Sequence, residues 1–189
     1  MNINTQLLFP TPFWTVDLDI NNSELTRECY RVRRTVKGVF DKSNRGGYHS
    51  DNLNFNIGFD SLLHTICNTS KKILTDYYSN TREVSINPYW VNINRIDNYN
   101  VRHIHPGCIL SGVYYVKCQN VPEQGSLVLH MDEKEQFILN SNHLNIKTKE
   151  IITPKEGMLV LFPSYVPHTV LPNTLNCDRI SISFNLVFN

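Results

Sequence analysis

From Val84 onward the chain is written in short runs of β-branched and aromatic residues, broken by proline, glycine and asparagine. SINPYWVNINRI, ILSGVYYVK, SLVLHM, KEIITP, GMLVLFP, HTVLP and RISISFNLVF follow one another at intervals of about 8 to 12 residues, the rhythm of an antiparallel sandwich or barrel. Helical patterns come earlier. After an edge strand expected around Phe13 to Leu18, Ser23 reads as the N-cap of a helix through Val36, with Leu25, Cys29, Val32 and Val36 on one stripe. Ser43 to Asn54 has the composition of a loop. Asp60 then precedes a second amphipathic segment carrying Leu62, Leu63, Ile66, Ile73, Leu74 and Tyr77 at helical spacing. Helices first and strands after read as an α+β domain, with the helices packed on one face of a β-sandwich.

With 189 residues and 41% hydrophobic content, the chain can bury one substantial core and is too short for two. A single domain over 1–189 is expected, with a strand and supporting helices in 1–82 and the strand-rich core in 83–189. A formal net charge of +1 gives no overall field toward nucleic acid or an anionic membrane. The basic clusters Arg31, Arg33, Arg34 and Lys71, Lys72 fall in helical segments and read as solvated faces. No apolar stretch approaches the roughly 18 residues of a membrane span, and MNINTQLLFP lacks the features of a leader. Five scattered cysteines without a CxxC pair suit a reducing compartment, so a cytoplasmic protein is expected.

In RISISFNL, Arg179, Ser181, Ser183 and Asn185 alternate with Ile180, Ile182, Phe184 and Leu186, so the strand has one polar and one apolar face. The polar face either meets solvent or lines an internal pocket, where arginine and serine would suit a carboxylate. Alternation alone does not choose between these.

HIHPG, at 103–107, puts two imidazoles two residues apart. On an extended segment, His103 and His105 would lie on one side with Cβ atoms about 6.6 Å apart, both able to reach one metal at about 2.0 to 2.1 Å. A third ligand must then come from elsewhere: His130, His143 and His168 are the candidates, while His49 and His64 lie in the helical half.

The segment TPKEGMLVLFPSYVPHTVLPNTLNCDRISISFN resembles the C-terminal half of the double-stranded β-helix of iron and 2-oxoglutarate dependent oxygenases, especially their prolyl 4-hydroxylase-like branch. In that branch a GxLvlFps strand leads to a histidine, a short valine-containing strand, and an arginine that opens another strand. HIHPGCILSGVYYVK likewise resembles the first metal motif followed by the strand that carries a cofactor-binding tyrosine. The GGYHS loop, the PYWVNIN strand and the HxHP, SGVYYV and RISISFN motifs extend the resemblance over most of the chain. They are similar to a narrower family of 2-oxoglutarate and Fe(II) oxygenases found in bacteria and tailed phages.

The resemblance implies a jelly roll of cupin type with N-terminal helices packed on one sheet. It implies His103 as first metal ligand, His168 as the distal one, and Arg179, Ser181 and Tyr115 around the far carboxylate of 2-oxoglutarate, with Tyr114 as the alternative tyrosine. Asn92 and Asn94 are placed on a neighbouring pocket wall by periodicity alone. Trp90, Phe162 and Pro163 read as packing residues. One departure stands out: His105 occupies the position at which the superfamily has Asp or Glu. Either His105 is itself the third ligand, which is the reading favoured, or water or a carboxylate such as Asp132 fills the gap, or catalysis has been lost.

The implied activity is oxidative decarboxylation of 2-oxoglutarate to succinate and CO2, coupled to oxidation of a substrate, commonly its hydroxylation. Fe(II), 2-oxoglutarate and O2 are the implied cofactors, with ascorbate as a reductant. The substrate class stays open among protein side chains, amino acids and small metabolites. Ser43 to Asn54 and Val121 to Gln124 are the candidate substrate loops, and oligomeric state is unreadable. If the chain is phage-encoded, the host cytoplasm is its compartment. Competing readings are a cupin-like metal-binding protein, a three-histidine zinc enzyme, and a sandwich with incidental histidines.

Overall fold

The computed structural model describes residues 4, 10–40, 42–53, 58–132 and 147–189. Eleven strands and two helices are present among them: β1 (Trp14–Asp17), α1 (Asn22–Thr35), β2 (Asn44–Arg45), β3 (Tyr48–His49), α2 (Asp60–Tyr78), β4 (Val84–Asn94), β5 (Tyr99–His103), β6 (Leu110–Lys117), β7 (Leu127–His130), β8 (Lys149–Ile152), β9 (Met158–Pro163), β10 (His168–Val170) and β11 (Arg179–Phe188). Two antiparallel sheets result, a six-stranded one in the order β1-β9-β6-β11-β4-β3 and a five-stranded one in the order β2-β5-β10-β7-β8. This is the expected jelly roll, with both helices laid on the six-stranded sheet.

Alternation along the strands builds two separate cores. Ile180, Ile182, Phe184 and Leu186 of β11, Tyr89, Val91 and Ile93 of β4, Tyr114 of β6 and Leu159 and Leu161 of β9 face the helices. There they meet Leu25, Cys29 and Val32 of α1 and Leu62, Ile66 and Leu74 of α2. Each such leucine or isoleucine taken from water contributes roughly 1.5–3 kcal/mol. The alternate residues point the other way, where Tyr115, Val160 and Phe162 join Leu127, Leu129 and Ile152 from the second sheet.

Several boundaries differ from the sequence reading. α1 begins at Asn22, and its N-cap is Asn21 rather than Ser23, because the Asn21 carboxamide accepts the Glu24 amide at 3.3 Å. In α2 the buried positions are Leu62, Ile66, Ser70 and Leu74, a strict i, i+4 stripe, while Tyr77 is exposed. The expected loop over 43–54 carries β2 and β3, which pair with β5 and β4 on different sheets. Gly46, at φ +78°, makes that crossing feasible, and at Gly47 a Cβ would sit 2.4 Å from the Asn94 carboxamide oxygen.

Candidate active site

The polar face of β11 turns inward, not to solvent. Arg179, Ser181 and Ser183 line a cavity between the sheets, with Trp90 and Asn92 from β4, Tyr115 from β6, and His103, His105 and His168. The cavity is narrow, with a volume of about 50 Å³.

Antiparallel pairing brings the histidines together. β10 lies beside β5 with His168 opposite His103, and their ring centroids are 4.1 Å apart. His105 lies beyond the end of β5, so the expected extended pair is incomplete. The His105 amide donates to the Ser164 carbonyl at 3.0 Å, which holds the connection against the turn after β9. Its ring stands 5.0 Å from that of His103 and 5.1 Å from that of His168. One nitrogen from each of the three rings lies within 4.8 Å of the others.

The ring nitrogens have defined roles. His103 Nδ1 donates to the Val101 carbonyl at 2.8 Å, and His168 Nδ1 to the Val166 carbonyl at 3.0 Å. That tautomer leaves Nε2 of both rings as a lone-pair donor, the arrangement seen in metal-ligating histidines. Burial lowers the pKa of His103, brings His105 down to about 4 and His168 to about 3, with further lowering in His105 and His168 from neighbouring rings. All three are neutral at pH 7, as metal ligation requires. Among the described residues no carboxylate joins the cluster; Asp132 is exposed and outside it. His130 is also outside, bonded to the Thr169 hydroxyl at 2.9 Å, and His143 lies outside the described residues.

Arg179 is only 3% exposed, and Nη1 donates to the Gly125 carbonyl. Its Nε has no partner, and no carboxylate among the described residues pairs with it. A guanidinium keeps its charge even when buried, so this one lacks a counter-ion that the cavity can admit. Gly125, at φ +88°, allows the approach, since a Cβ there would lie 2.8 Å from Nη1 and 2.5 Å from the Leu171 carbonyl oxygen. Gln124 ends the segment read as a substrate loop, Val121 to Gln124, and Gly125 follows it directly; the Gln124 and Gly125 carbonyls both accept from Arg179 Nη1. The segment instead backs the arginine end of the cavity.

Tyr115 sits opposite Ser181 across β6 and β11. Burial pushes its phenol up to about 12 against the opposing pull of Arg179, so it remains a protonated donor. Three buried donors therefore share one end of the cavity, which suits a carboxylate. Tyr114 faces the other way and donates to the Asn22 carboxamide at 2.8 Å, at the start of α1. It is no part of the cavity wall, because neighbouring strand residues point to opposite faces.

Asn92 lines the cavity and donates to the Ser183 hydroxyl at 3.0 Å, while its own carboxamide oxygen lies unpartnered opposite Ser181. Asn94 does not line it; its oxygen accepts from Asn44 at 2.8 Å at the sheet edge. Trp90 and Phe162, read as packing, are cavity walls. Phe162 packs 4.7 Å from the His168 ring, and Trp90 lies 5.8 Å from His105 while stacked at 5.4 Å on His49. Their inward register on β9 and β4 was the available signal.

A double-stranded β-helix with clustered histidines and a buried arginine defines the class of non-haem iron oxygenases. Residues 88–185, just over half of the chain, match the family described as "Putative 2OG-Fe(II) oxygenase", and the chain belongs to that family. Solved structures share the fold at low identity. A Pseudomonas putida prolyl-4-hydroxylase matches over 95% of this chain and 94% of its own, with a TM-score of 0.68 and 16% identity. A Trichoplax adhaerens prolyl hydroxylase in complex with a hypoxia inducible factor peptide fragment has a TM-score of 0.66 at 16% identity, over 93% of this chain and 83% of that one. HygX of Streptomyces hygroscopicus, with nickel, 2-oxoglutarate and hygromycin B bound, has a TM-score of 0.65 at 11% identity, over 93% and 82%. No curated protein matches the chain in sequence.

Proposed function

We propose that the chain is an Fe(II) and 2-oxoglutarate dependent oxygenase in which His103, His105 and His168 hold the metal and Arg179, Ser181 and Tyr115 hold the distal carboxylate of 2-oxoglutarate. The observation that carries this reading is a buried guanidinium without a counter-ion among the described residues, in the same cavity as three neutral imidazoles. The residues fit both groups. Nitrogen donors suit Fe(II), and the arginine end offers a buried, uncompensated charge to a diacid.

When bound, iron and 2-oxoglutarate would supply O2 activation coupled to decarboxylation, yielding succinate and CO2. The chain's own work is positioning. Carbonyls of Val101 and Val166 fix the His103 and His168 tautomers. Arg179 neutralises one end of the diacid, Tyr115 and Ser181 donate hydroxyl protons to it, and Val113, Leu127 and Phe162 keep the cavity wall apolar. A zinc site would also accept three imidazoles, but it would leave Arg179 without a role.

Trp90 and Asn92 form the wall on which a substrate would lie. The structural relatives whose ligands are a peptide fragment and hygromycin B support a peptide or small-molecule substrate. We take residues 1–189 as one domain, since the helices and the six-stranded sheet share a core, and the cytoplasm as its compartment. The described residues contain no helix long and apolar enough to cross a membrane. The test is succinate formation from 2-oxoglutarate by purified protein with Fe(II), ascorbate and O2, slow without the true substrate. Unchanged turnover in Arg179→Ala would remove the assignment.

A further inference from the structure

The proposed donor set leaves a charge that no described residue of the cavity balances. Three neutral imidazoles bring no negative charge to a divalent metal, whereas the carboxylate usual at the position of His105 would bring one. 2-Oxoglutarate brings two: its distal carboxylate is matched by Arg179, and its 1-carboxylate offsets one of the metal's two positive charges. One unit of positive charge remains. The described lining contains no Asp or Glu. Tyr115 stays protonated and does not supply the missing charge. Residual charge in a low-dielectric cavity is costly and is met by an ion from outside.

A second observation points the same way. Ser43 and Ser183 both line the cavity, and each oxygen already accepts a hydrogen bond from a carboxamide, from Asn100 at 3.0 Å and from Asn92 at 3.0 Å. Each hydroxyl therefore keeps its own proton to donate, in a bond strengthened by the one it accepts. Hydroxyl donors in the same cavity as a cationic centre suit an anion.

We propose that the centre binds a monoanion in addition to 2-oxoglutarate, either a carboxylate carried by the substrate or a free halide. The proposal rests on the reading that His103, His105 and His168 hold the metal. The test uses the full chain loaded with Co(II) in place of Fe(II), saturated with 2-oxoglutarate in halide-free buffer and titrated separately with sodium acetate and sodium chloride. Co(II) stoichiometry is measured first, so that a failure of the metal reading is seen as such and takes the proposal down with it. The visible Co(II) spectrum should then change saturably with anion in the native protein. His105→Asp, which restores a carboxylate, should weaken that binding at least about tenfold, because one unit of charge is removed within a few ångströms. Ser43→Ala and Ser183→Ala, which leave the histidines intact, should weaken it as well. Tighter acetate binding assigns the site to a substrate carboxylate, and tighter chloride binding to a halide. Three results would overturn the proposal: full Co(II) occupancy with no saturable anion response, equal anion affinity in His105→Asp, or a spectrum that titrates with pH in anion-free buffer and then excludes both anions, which would give the charge to bound hydroxide.

Discussion

His103 and His168 face each other across β5 and β10, their rings 4.1 Å apart, each with Nδ1 tied to the carbonyl two residues before it. Neither ring can turn without giving up its hydrogen bond, which is buried at His168 and partly buried at His103. The pair is therefore held in place before any metal arrives. His168→Ala is expected to abolish stoichiometric metal binding, a larger loss than the roughly 10–100-fold that follows removal of an outer-shell partner. Metal content after dialysis against Fe(II) or Co(II) checks it; full occupancy in the variant would place the metal elsewhere.

Arg179 has opposite effects with and without the diacid. With no carboxylate partner among the described residues, its buried charge costs stability in the free protein and becomes favourable when a carboxylate enters. 2-Oxoglutarate should raise the melting temperature of the native protein; Arg179→Met should leave that of the ligand-free protein unchanged or raise it, and eliminate the shift with 2-oxoglutarate. Loss of such a buried charged partner costs about 2–4 kcal/mol, or roughly 30- to 1,000-fold in affinity. Thermal melts with and without 2-oxoglutarate separate the two effects.

The histidine cluster predicts an acid-labile ligand-free protein. Burial holds His168 at about 3 and His105 at about 4, and lowers His103, against 6.5 in the unfolded chain. Below pH 6.5 the unfolded state takes up protons that the folded state refuses, so the stabilising contribution present above 6.5 is lost as pH falls toward 4 and 3. Each proton steepens the decline by about 1.4 kcal/mol per pH unit. Denaturant midpoints measured from pH 7.5 to 4.5 should fall with a slope of more than one proton, and His105→Gln should make that slope shallower.

Gly125→Ala tests the support beneath the arginine. The new methyl group would meet the Leu171 carbonyl oxygen at 2.5 Å and Arg179 Nη1 at 2.8 Å, on a backbone at φ +88°. Strain of this kind costs about 1–3 kcal/mol. Weaker 2-oxoglutarate binding with metal occupancy retained is the expected result by calorimetry.

Trp90 lies against His105, so a paramagnetic ion held by that ring should quench its emission. With Trp14 replaced by Phe, Trp90 is the only tryptophan. Its fluorescence should fall on addition of Co(II) and recover with a chelator; an unaltered signal at full occupancy would put the ion away from His105.

Most of the strands, both helices and the three histidines were legible because each depends on local alternation or on a motif with fixed spacing, whereas the short β2 and β3 fell in a segment read as a loop and β5 was not read as a strand. The solvent or pocket ambiguity of Arg179 and Ser181 was not resolvable locally, since which face of β11 is covered depends on a second sheet built from distant strands. The extended geometry considered for His103 and His105 holds only as far as His103, where β5 ends and the Ser164 carbonyl takes the His105 amide. Register puts Trp90 on the same face of β4 as Asn92 and Phe162 on the same face of β9 as Val160, but register alone does not separate a core-filling face from a cavity wall. The sheet-edge role of Asn44 and Asn94 depends on a crossing between sheets that local composition presents only as a loop.

Tyr114 and Tyr115 are neighbours in β6 whose hydroxyl-bearing rings leave the strand in opposite directions, one anchored to Asn22 and the other beside Ser181. That single strand thus borders both the helix layer and the cavity. A substitution at Tyr114 therefore bears on the anchoring of the first helix, whereas one at Tyr115 alters the cavity wall directly.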